Sequence, residues 1–454
     1  ASMRDFTAAV VCLLLLTGCR QQVYDFEPPS DVARGGTNEV EPSAAEGNVG
    51  SAKSHASPAT DAWPNLFGPF HTSVAGESPP LREWTANGPP LQWEAAIGAG
   101  YSSPVARDNR LIVFYREADE EVLECRAANT GQSIWQLRRP TTYKCKYRYS
   151  DGPYSSPIID GESVYAISAE GIMRCVDAVT GMPRWEKSLW DEFGMEENLF
   201  AVAGSPLLWR DRLIFNAGGT NGDAGIVAID KRSGKTMWTA TDHRAGYATP
   251  IAATIHGQDY VFVVTFEGLV ALDPNDGRVF WEIRQRPTKP DSINATSPLV
   301  DVDLVLMVTG PGPGAMCVRV LPNGEYAEVW RDRRVLDSQF NNLALVNGFV
   351  YGYTTSRQGG ADFRCVELAT GKLRWQWSSA LERGSSLVVG QRLLLLGEHG
   401  HLAMLDVNSN KAAPRCITDH QVLEGPCYSA PAFHRGMLFV RNERWIRCYD
   451  FAGL

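Results

Sequence analysis

Short stretches of alternating apolar and polar residues recur along the chain from residue 91 to its end. Examples are residues 111–114 and 437–440. A small residue, usually followed by proline, opens each copy of the pattern. These openings are Ser103-Pro104, Ser156-Pro157, Ser205-Pro206, Thr249-Pro250, Ser297-Pro298 and Ala430-Pro431, with Asn342-Leu343 and Ser386-Leu387 as copies without the proline. Alternation with a period of two predicts short β-strands, so the pattern indicates an all-β fold.

Each copy also tends to end in a glycine-containing turn that is followed by a tryptophan. Thr180-Gly181 before Trp185 is an example. Glycine supplies the positive φ that a tight hairpin turn requires, and the indole can fill the wedge between two neighbouring sheets. The tryptophans of this kind lie 43 to 53 residues apart and are Trp135, Trp185, Trp238, Trp281, Trp330 and Trp375. That period, with several short strands in each copy, is typical of β-propeller blades.

The eight openings predict eight four-stranded antiparallel blades. The last copy stops at Phe451 without a fourth strand, whereas the strand around Trp93 has no copy before it. A closed ring would use the Trp93 strand to complete blade 8, which removes the last exposed sheet edge. We therefore predict an eight-bladed β-propeller over residues 63–454, closed by an N-terminal strand and preceded by a wrapping segment, 63–90. Blade 7 is the least regular copy, because residues 409–414 contain no tryptophan.

The repeat resembles a known family. The ending from Cys175 through Asp177, Ala178, Thr180 and Gly181 to Trp185 resembles the PQQ-like repeat of quinoprotein alcohol dehydrogenases and of BamB-type outer-membrane assembly lipoproteins. The opening part is similar to BamB-type, non-enzymatic propeller proteins of planctomycete bacteria, on the motifs Trp63-Pro64, Phe67-Gly68-Pro69, Trp84, Gly88-Pro89-Pro90 and Gly100-Tyr101-Ser102-Ser103-Pro104. The resemblance implies a cell-envelope scaffold that presents one propeller face to a protein partner.

Residues 1–19 resemble a bacterial lipoprotein signal peptide. Met3-Arg4 precedes an apolar stretch, residues 8–16, and Leu16-Thr17-Gly18-Cys19 is similar to a lipobox. This resemblance implies cleavage before Cys19 and its lipidation, and therefore anchoring to a membrane. An ordinary secretory peptide is the alternative. Residues 20–62 contain few large apolar residues, which predicts a disordered tether.

Composition limits the possible partners. The chain has 454 residues, of which 44% are hydrophobic, so it can bury a large core. Its net charge of −9 offers no basic surface for a phosphate backbone, which argues against nucleic acid as a partner. The signal peptide and the family resemblance together lead us to expect a lipid-anchored protein on the periplasmic side of a membrane, with the outer membrane favoured. We expect it to be a monomer.

A quinone cofactor is the main catalytic alternative. The quinoprotein dehydrogenases use a disulfide between adjacent cysteines, a calcium ion and an aspartate base, whereas no two of the ten cysteines here are neighbours. We therefore predict a non-enzymatic protein without a cofactor, and keep a PQQ-dependent dehydrogenase as the alternative.

The remaining cysteines and histidines do not predict a metal site. Four cysteines at the same position of the third strand predict small buried thiols in separate blade interfaces: Cys125, Cys175, Cys365 and Cys448. Cys416 and Cys427 are the plausible disulfide pair of an exported protein, although the sequence leaves their pairing open. His399-Gly400-His401 favours a hairpin turn over a zinc site.

One group of residues predicts binding. A tyrosine precedes the strand opening in four blades, at Tyr101, Tyr154, Tyr247 and Tyr428. Since inner strands begin beside the channel mouth, these rings are expected near one face, either as a binding rim or as packing within the repeat. The long links into blades 2 and 3 belong to the same face and carry opposite charges among aromatics: Lys144, Lys146 and Arg148 in one, and Trp190, Asp191, Glu192, Glu196 and Glu197 in the other. This rim would suit a protein, or alternatively a carbohydrate.

Overall fold

The fold is described by a computed structural model that covers residues 61–76, 78, 81–147, 149–195, 200–289, 292–354, 361–378, 381–407 and 414–452. These residues belong to one unit, Ser51–Leu454. The predicted signal peptide with Cys19, the tether up to residue 60, and the predicted rim residues Arg148, Glu196 and Glu197 lie outside the described residues. Within the described part, no helix is both long and apolar enough to cross a membrane.

Eight antiparallel four-stranded sheets form the blades, as the repeat predicted. Strand β1 is Leu91–Ala96. Blades 1 to 4 follow in chain order, and the strands of each are given from the innermost to the outermost. Blade 1 consists of β2 (Val105–Arg107), β3 (Arg110–Glu117), β4 (Glu120–Ala127) and β5 (Ser133–Pro140), and blade 2 consists of β6 (Ile158–Asp160), β7 (Ser163–Ile167), β8 (Ile172–Asp177) and β9 (Pro183–Ser188). Blade 3 consists of β10 (Leu207–Trp209), β11 (Arg212–Asn216), β12 (Ile226–Asp230) and β13 (Thr236–Ala240), and blade 4 consists of β14 (Ile251–Ile255), β15 (Gln258–Val264), β16 (Gly268–Leu272) and β17 (Val279–Arg284). A short helix, α1 (Leu189–Phe193), follows β9.

Blades 5 to 7 have the same order. Their strands are β18 (Leu299–Asp301), β19 (Leu304–Thr309), β20 (Gly314–Val320) and β21 (Tyr326–Asp332); β22 (Ala344–Val346), β23 (Phe349–Tyr353), β24 (Asp362–Glu367) and β25 (Leu373–Ser378); β26 (Gly384–Val389), β27 (Arg392–Gly397), β28 (His401–Asp406) and β29 (Cys416–Gln421). Blade 8 contains β30 (Ala432–His434), β31 (Met437–Arg441) and β32 (Trp445–Asp450), and β1 is its fourth strand.

The predicted ring closure is confirmed. Strand β1 pairs antiparallel with β32, and Trp93 lies opposite Cys448. This pairing covers the outer edge of β32 and gives the last blade four strands like the others. The side chain of Arg441 adds a second connection, because it donates to the carbonyl oxygens of Gly98, Ser102 and Phe114 at 3.0, 3.2 and 2.7 Å. Blade 8 is therefore tied to blade 1 through backbone pairing and through a buried guanidinium group.

The repeat tryptophans join neighbouring blades. The Trp135 indole lies across Gly181 of blade 2, and its Nε1 donates to the Ala178 carbonyl oxygen at 3.1 Å. Trp93, Trp185, Trp238 and Trp330 repeat this contact on the turn glycine of the next blade, over Gly131, Gly234, Gly277 and Gly371 respectively. Trp281 differs, since blade 5 has a longer turn and the indole packs on Tyr326 instead, with ring centroids 4.8 Å apart. Trp375 is buried opposite Cys365, and Thr418 takes the tryptophan position in blade 7.

The small residues that open the blades form a second ring of contacts. The backbone N–H of Ser103 donates to Ser156 Oγ of blade 2 at 2.9 Å, and the same bond recurs along a series of blades, from Ser156 to Ser205, Ser205 to Thr249, Thr249 to Ser297, and Ala430 to Ser103. Blade 6 has Asn342 at this position, and its Oδ1 accepts from Ser386 N at 3.1 Å. The opening residue is therefore small and polar because its side chain receives a backbone donor from the neighbouring blade.

Residues 61–76, named here the plug, lie inside the ring. Trp63 exchanges two backbone hydrogen bonds of 2.8 Å with Ala106 of β2. Further along, the carbonyl oxygens of Thr72 and Ser73 accept from Leu345 of β22 and Val388 of β26. Inner strands have an edge without a partner within their own sheet, and the plug satisfies part of it. Because these contacts lie on the strands beyond their opening residues, the plug closes the channel below the mouth.

Candidate functional site

A cavity of about 520 Å³ opens at the mouth of the central channel. Leu66 and Phe67 of the plug belong to its lining, and the opening residues of several blades form its walls. Because the plug crosses the channel below these residues, the cavity is a cup with one mouth. Its volume is in the usual range for ligand sites, roughly 300–1,000 Å³.

The structure brings the four predicted tyrosines to this cup. Tyr101 lies 4.8 Å from Tyr154 and 5.1 Å from Tyr428 between ring centroids. Tyr247 is on the other side, 6.0 Å from Phe200, and Phe200 is linked to Tyr428 through Tyr149. The rings form one continuous aromatic cluster around the mouth. That this cluster binds a partner stays a prediction.

Six hydroxyl oxygens in the cup wall accept hydrogen bonds from backbone N–H groups. Ser103, Ser156, Thr249 and Ser297 accept from the neighbouring blade, and Tyr101 and Tyr247 accept from Ser150 N and Phe200 N at 3.1 and 2.9 Å. A hydroxyl group that accepts in this way still has its own proton to donate. None of these six hydroxyl groups donates to another described residue, so the wall can offer O–H donors to a ligand.

The tyrosines remain neutral. Burial raises the pKa of Tyr101 and Tyr154 above the ordinary value, and the nearby Glu443 charge adds to the effect on Tyr101. Burial likewise raises the pKa of Tyr247 and Tyr428, and Glu398 contributes at Tyr428. Phenols with a raised pKa keep their proton at neutral pH and act as donors.

A second cavity of about 490 Å³ lies beside the cup, and it is called the side slot here. Lys144, Trp190 and Glu170 belong to its lining, while Phe200 and Tyr247 line both cavities. The predicted rim residues are therefore divided between two cavities. Lys146 is exposed on the same link, and Arg148 is outside the described residues.

Two of the charged residues in the long links are paired. Lys144 lies 3.1 Å from Asp151, and Glu192 accepts from Lys187 at 2.6 Å. Exposed pairs of this kind contribute little energy. That the two links form patches of opposite charge for a partner stays a prediction.

The cysteines predicted to be buried thiols lie in the interfaces between blades. Cys125, Cys175, Cys365 and Cys448 are free, buried and opposite Trp135, Trp185, Trp375 and Trp93, in separate blade interfaces. Cys317 has the same position opposite Trp330 and was missed in the sequence because of the longer turn. The possible disulfide is not formed, since Cys416 and Cys427 are both free thiols whose sulfurs bond to carbonyl oxygens of Thr418 and Glu424.

His399 lies in the turn between β27 and β28, as favoured from the sequence. Its ring is near Glu382 and Glu398, the one group of potential metal ligands among the described residues. Arg383 already pairs with Glu398 at 2.9 Å. A cation at this position would have to displace the guanidinium group.

Sequence reasoning missed several residues of the cup. Phe340, 40% exposed at the mouth, lies in a link without any repeat signal. Asn341 was missed as well. It belongs to the lining, and its Nδ2 donates to Gly384 O at 2.8 Å, while its Oδ1 is buried without a partner among the described residues. The hydroxyl-bearing opening residues were visible as a motif, but their role between blades could be recognised only from the ring geometry.

Comparisons with known proteins agree with this architecture. The sequence matches the family described as outer membrane protein assembly factor BamB over residues 71–222 and 118–377, together more than half of the chain. No curated protein matches it in sequence.

Two solved structures illustrate the likeness in fold. BamB from Moraxella catarrhalis has a TM-score of 0.53 and 15% identity, covering 79% of this chain and 98% of that one. Quinohemoprotein alcohol dehydrogenase from Comamonas testosteroni has a TM-score of 0.55 and 13% identity, covering 87% and 81%. At these identities, the structures establish the fold and leave the function open.

Proposed function

The chain belongs to the family of the outer membrane protein assembly factor BamB, and from that premise we propose that it is a non-enzymatic scaffold of the cell envelope. In this proposal it is a monomer, anchored to the periplasmic side of the outer membrane through lipidated Cys19. It presents the face that contains the cup to a protein partner. The family description relates to outer-membrane protein assembly, and we extend that setting to this chain as part of the proposal.

The aromatic cluster is the observation that carries the proposal. Tyr147, Tyr149 and Phe340 are 48%, 45% and 40% exposed on one face. Aromatic side chains in water around a concave centre are typical of the anchoring residues of protein interfaces. The rigid ring below them would hold their positions, which lowers the entropy cost of binding.

The plug enters the described fold from the face opposite the cup. Asp61, at its start, pairs with Arg435, which lies in the hairpin between β30 and β31 on that opposite face.

The quinoprotein alternative does not fit the cup. A calcium ion takes oxygen ligands that usually include carboxylates, and no aspartate or glutamate is among the described residues that line the cup. The described lining also has no cysteine. Titrating the protein with PQQ and calcium tests this alternative, since a stoichiometric quinone absorbance with dye-linked alcohol oxidation would contradict the scaffold proposal.

A site-specific photo-crosslinker tests the proposed partner face. We expect p-benzoylphenylalanine at position 149 to give a discrete adduct in native envelopes. The same residue at Met182, which is 68% exposed in a turn on the opposite face, is the matched control and should give none. Equal labelling at both positions, or none at either, would contradict the proposed face.

A further inference from the structure

The cup is closed at one end. Leu66 and Phe67 belong to its lining, and the plug is fixed to inner strands through the hydrogen bonds of Trp63, Thr72 and Ser73. A polypeptide that enters the cup therefore has to end there or turn back. Because the cup has a single opening, the end of a polypeptide fits it better than a segment that would have to pass through it.

The described lining has many donors and no carboxylate. Six hydroxyl groups accept backbone N–H groups and keep their protons for a ligand: Ser103, Ser156, Thr249, Ser297, Tyr101 and Tyr247. Lys289 is the cationic residue of the lining and is exposed. These donors, together with Lys289, can bind an anionic acceptor, and hydrogen bonds to a charged acceptor are the stronger ones.

The lining also has apolar surface. The rings of Phe67, Tyr154 and Tyr428 can cover an apolar side chain. The terminal residues of a polypeptide that enters the cup would therefore be apolar.

We propose that the cup binds the carboxyl end of a partner polypeptide whose last residues are apolar. The carboxylate accepts from hydroxyl groups of the wall and from Lys289, and the terminal side chains pack on the aromatic rings. This inference rests on the proposed function and specifies the chemistry of the partner. A saccharide, with as many donors as acceptors, matches the lining less well.

A peptide pair tests the inference on the purified full chain. The probe is fluorescein-Gly-Ser-Gly-Leu-Val with a free carboxylate, and its control is the same peptide ending in an amide, both followed by fluorescence anisotropy. We expect the free acid to bind at least ten-fold more tightly. Lys289→Met should weaken the acid several-fold and leave the amide unchanged, whereas Lys372→Met, an exposed lysine in a turn on the opposite face, should change neither.

Three results would overturn the inference. They are equal affinity for the acid and the amide, equal affinity for N-acetylvaline and the peptide, and binding of neutral oligosaccharides without binding of the peptide. Each leaves the crosslinking result at position 149 intact, so this inference can fail while the proposed partner face stands.

Discussion

The indole of Trp93 lies across Gly131, so that the strand that closes the last blade also covers the turn between β4 and β5 of blade 1. A Cβ atom at position 131 would lie 2.5 Å from the indole ring, and Trp93 Nε1 donates to Ala128 O at 2.9 Å. The same contact between successive blades explains why glycine and tryptophan recur together. Glycine is required both for its positive φ and for the space that the indole occupies.

Gly181→Ala should show how much of this requirement is due to the tryptophan. At Gly181, φ is +73° and a Cβ would lie 2.6 Å from the Trp135 ring, whereas at Gly257 φ is +81° and nothing lies within 4 Å. Both substitutions strain the backbone, but only the first also displaces an indole. We expect Gly181→Ala to lower the free energy of unfolding by about 1–3 kcal/mol more than Gly257→Ala, measured in urea. Equal losses would mean that the blade contact contributes nothing.

The repeat pattern explains which features of the fold could be predicted from the sequence. Blade number, strand order and ring closure could be predicted because Ser103-Pro104 and Thr180-Gly181 with Trp185 are local signals that recur in each copy. The four tyrosines could be placed near one face for the same reason. Cys317 was missed where the turn of blade 5 is longer than the others.

The floor of the cup could not be predicted. Residues 61–76 have no repeat and no strand pattern, and they lie in the channel because inner-strand edges such as that of Ala106 need hydrogen-bond partners. Phe340 and Asn341 come from a link with no counterpart in other blades. Contacts between segments so far apart in sequence depend on the closed ring, which no local pattern encodes.

Trp63→Ala should destabilise the whole ring. The Trp63 side chain is 1% exposed, while Trp445, in β32, is 38% exposed. Removing a buried indole from a packed core typically costs about 3–5 kcal/mol, and we expect that loss in the free energy of urea unfolding. Trp445→Ala serves as control and should cost less than about 1 kcal/mol. If Trp63→Ala lost no more than the control, the plug would be a dispensable part of the fold.

Arg441→Met should weaken the junction between blades 8 and 1. Burial lowers the pKa of Arg441 to about 10, and the guanidinium group remains charged at neutral pH. Methionine would leave the Gly98, Ser102 and Phe114 carbonyl oxygens without this donor, and each unsatisfied buried group costs about 1–3 kcal/mol. Thermal unfolding should show a lower midpoint for Arg441→Met than for Arg435→Met, which removes an exposed pair with Asp61. Equal midpoints would contradict the proposed role of Arg441 in closure.

His71 should make the stability of the fold depend on pH. Burial lowers the pKa of this plug histidine from 6.5 to about 4, and its buried Nδ1 has no hydrogen-bond partner among the described residues. Between these two values the unfolded chain binds a proton that the folded chain does not bind, so the free energy of unfolding falls as the pH falls from about 6.5 to about 4. Above that window the contribution is fully present, and below it the loss is complete.

Urea unfolding at pH 7.5, 5.5 and 4.5 checks this dependence by comparing the wild type with His71→Gln. Since other groups titrate in the same window, the quantity of interest is the difference between the two proteins. Glutamine takes up no proton, so His71→Gln should lose less stability than the wild type on acidification, by at most about 3 kcal/mol. His401→Gln, a change at an exposed strand residue, should keep the wild-type dependence. Parallel curves for the wild type and His71→Gln would show that His71 is not held neutral by its place in the channel.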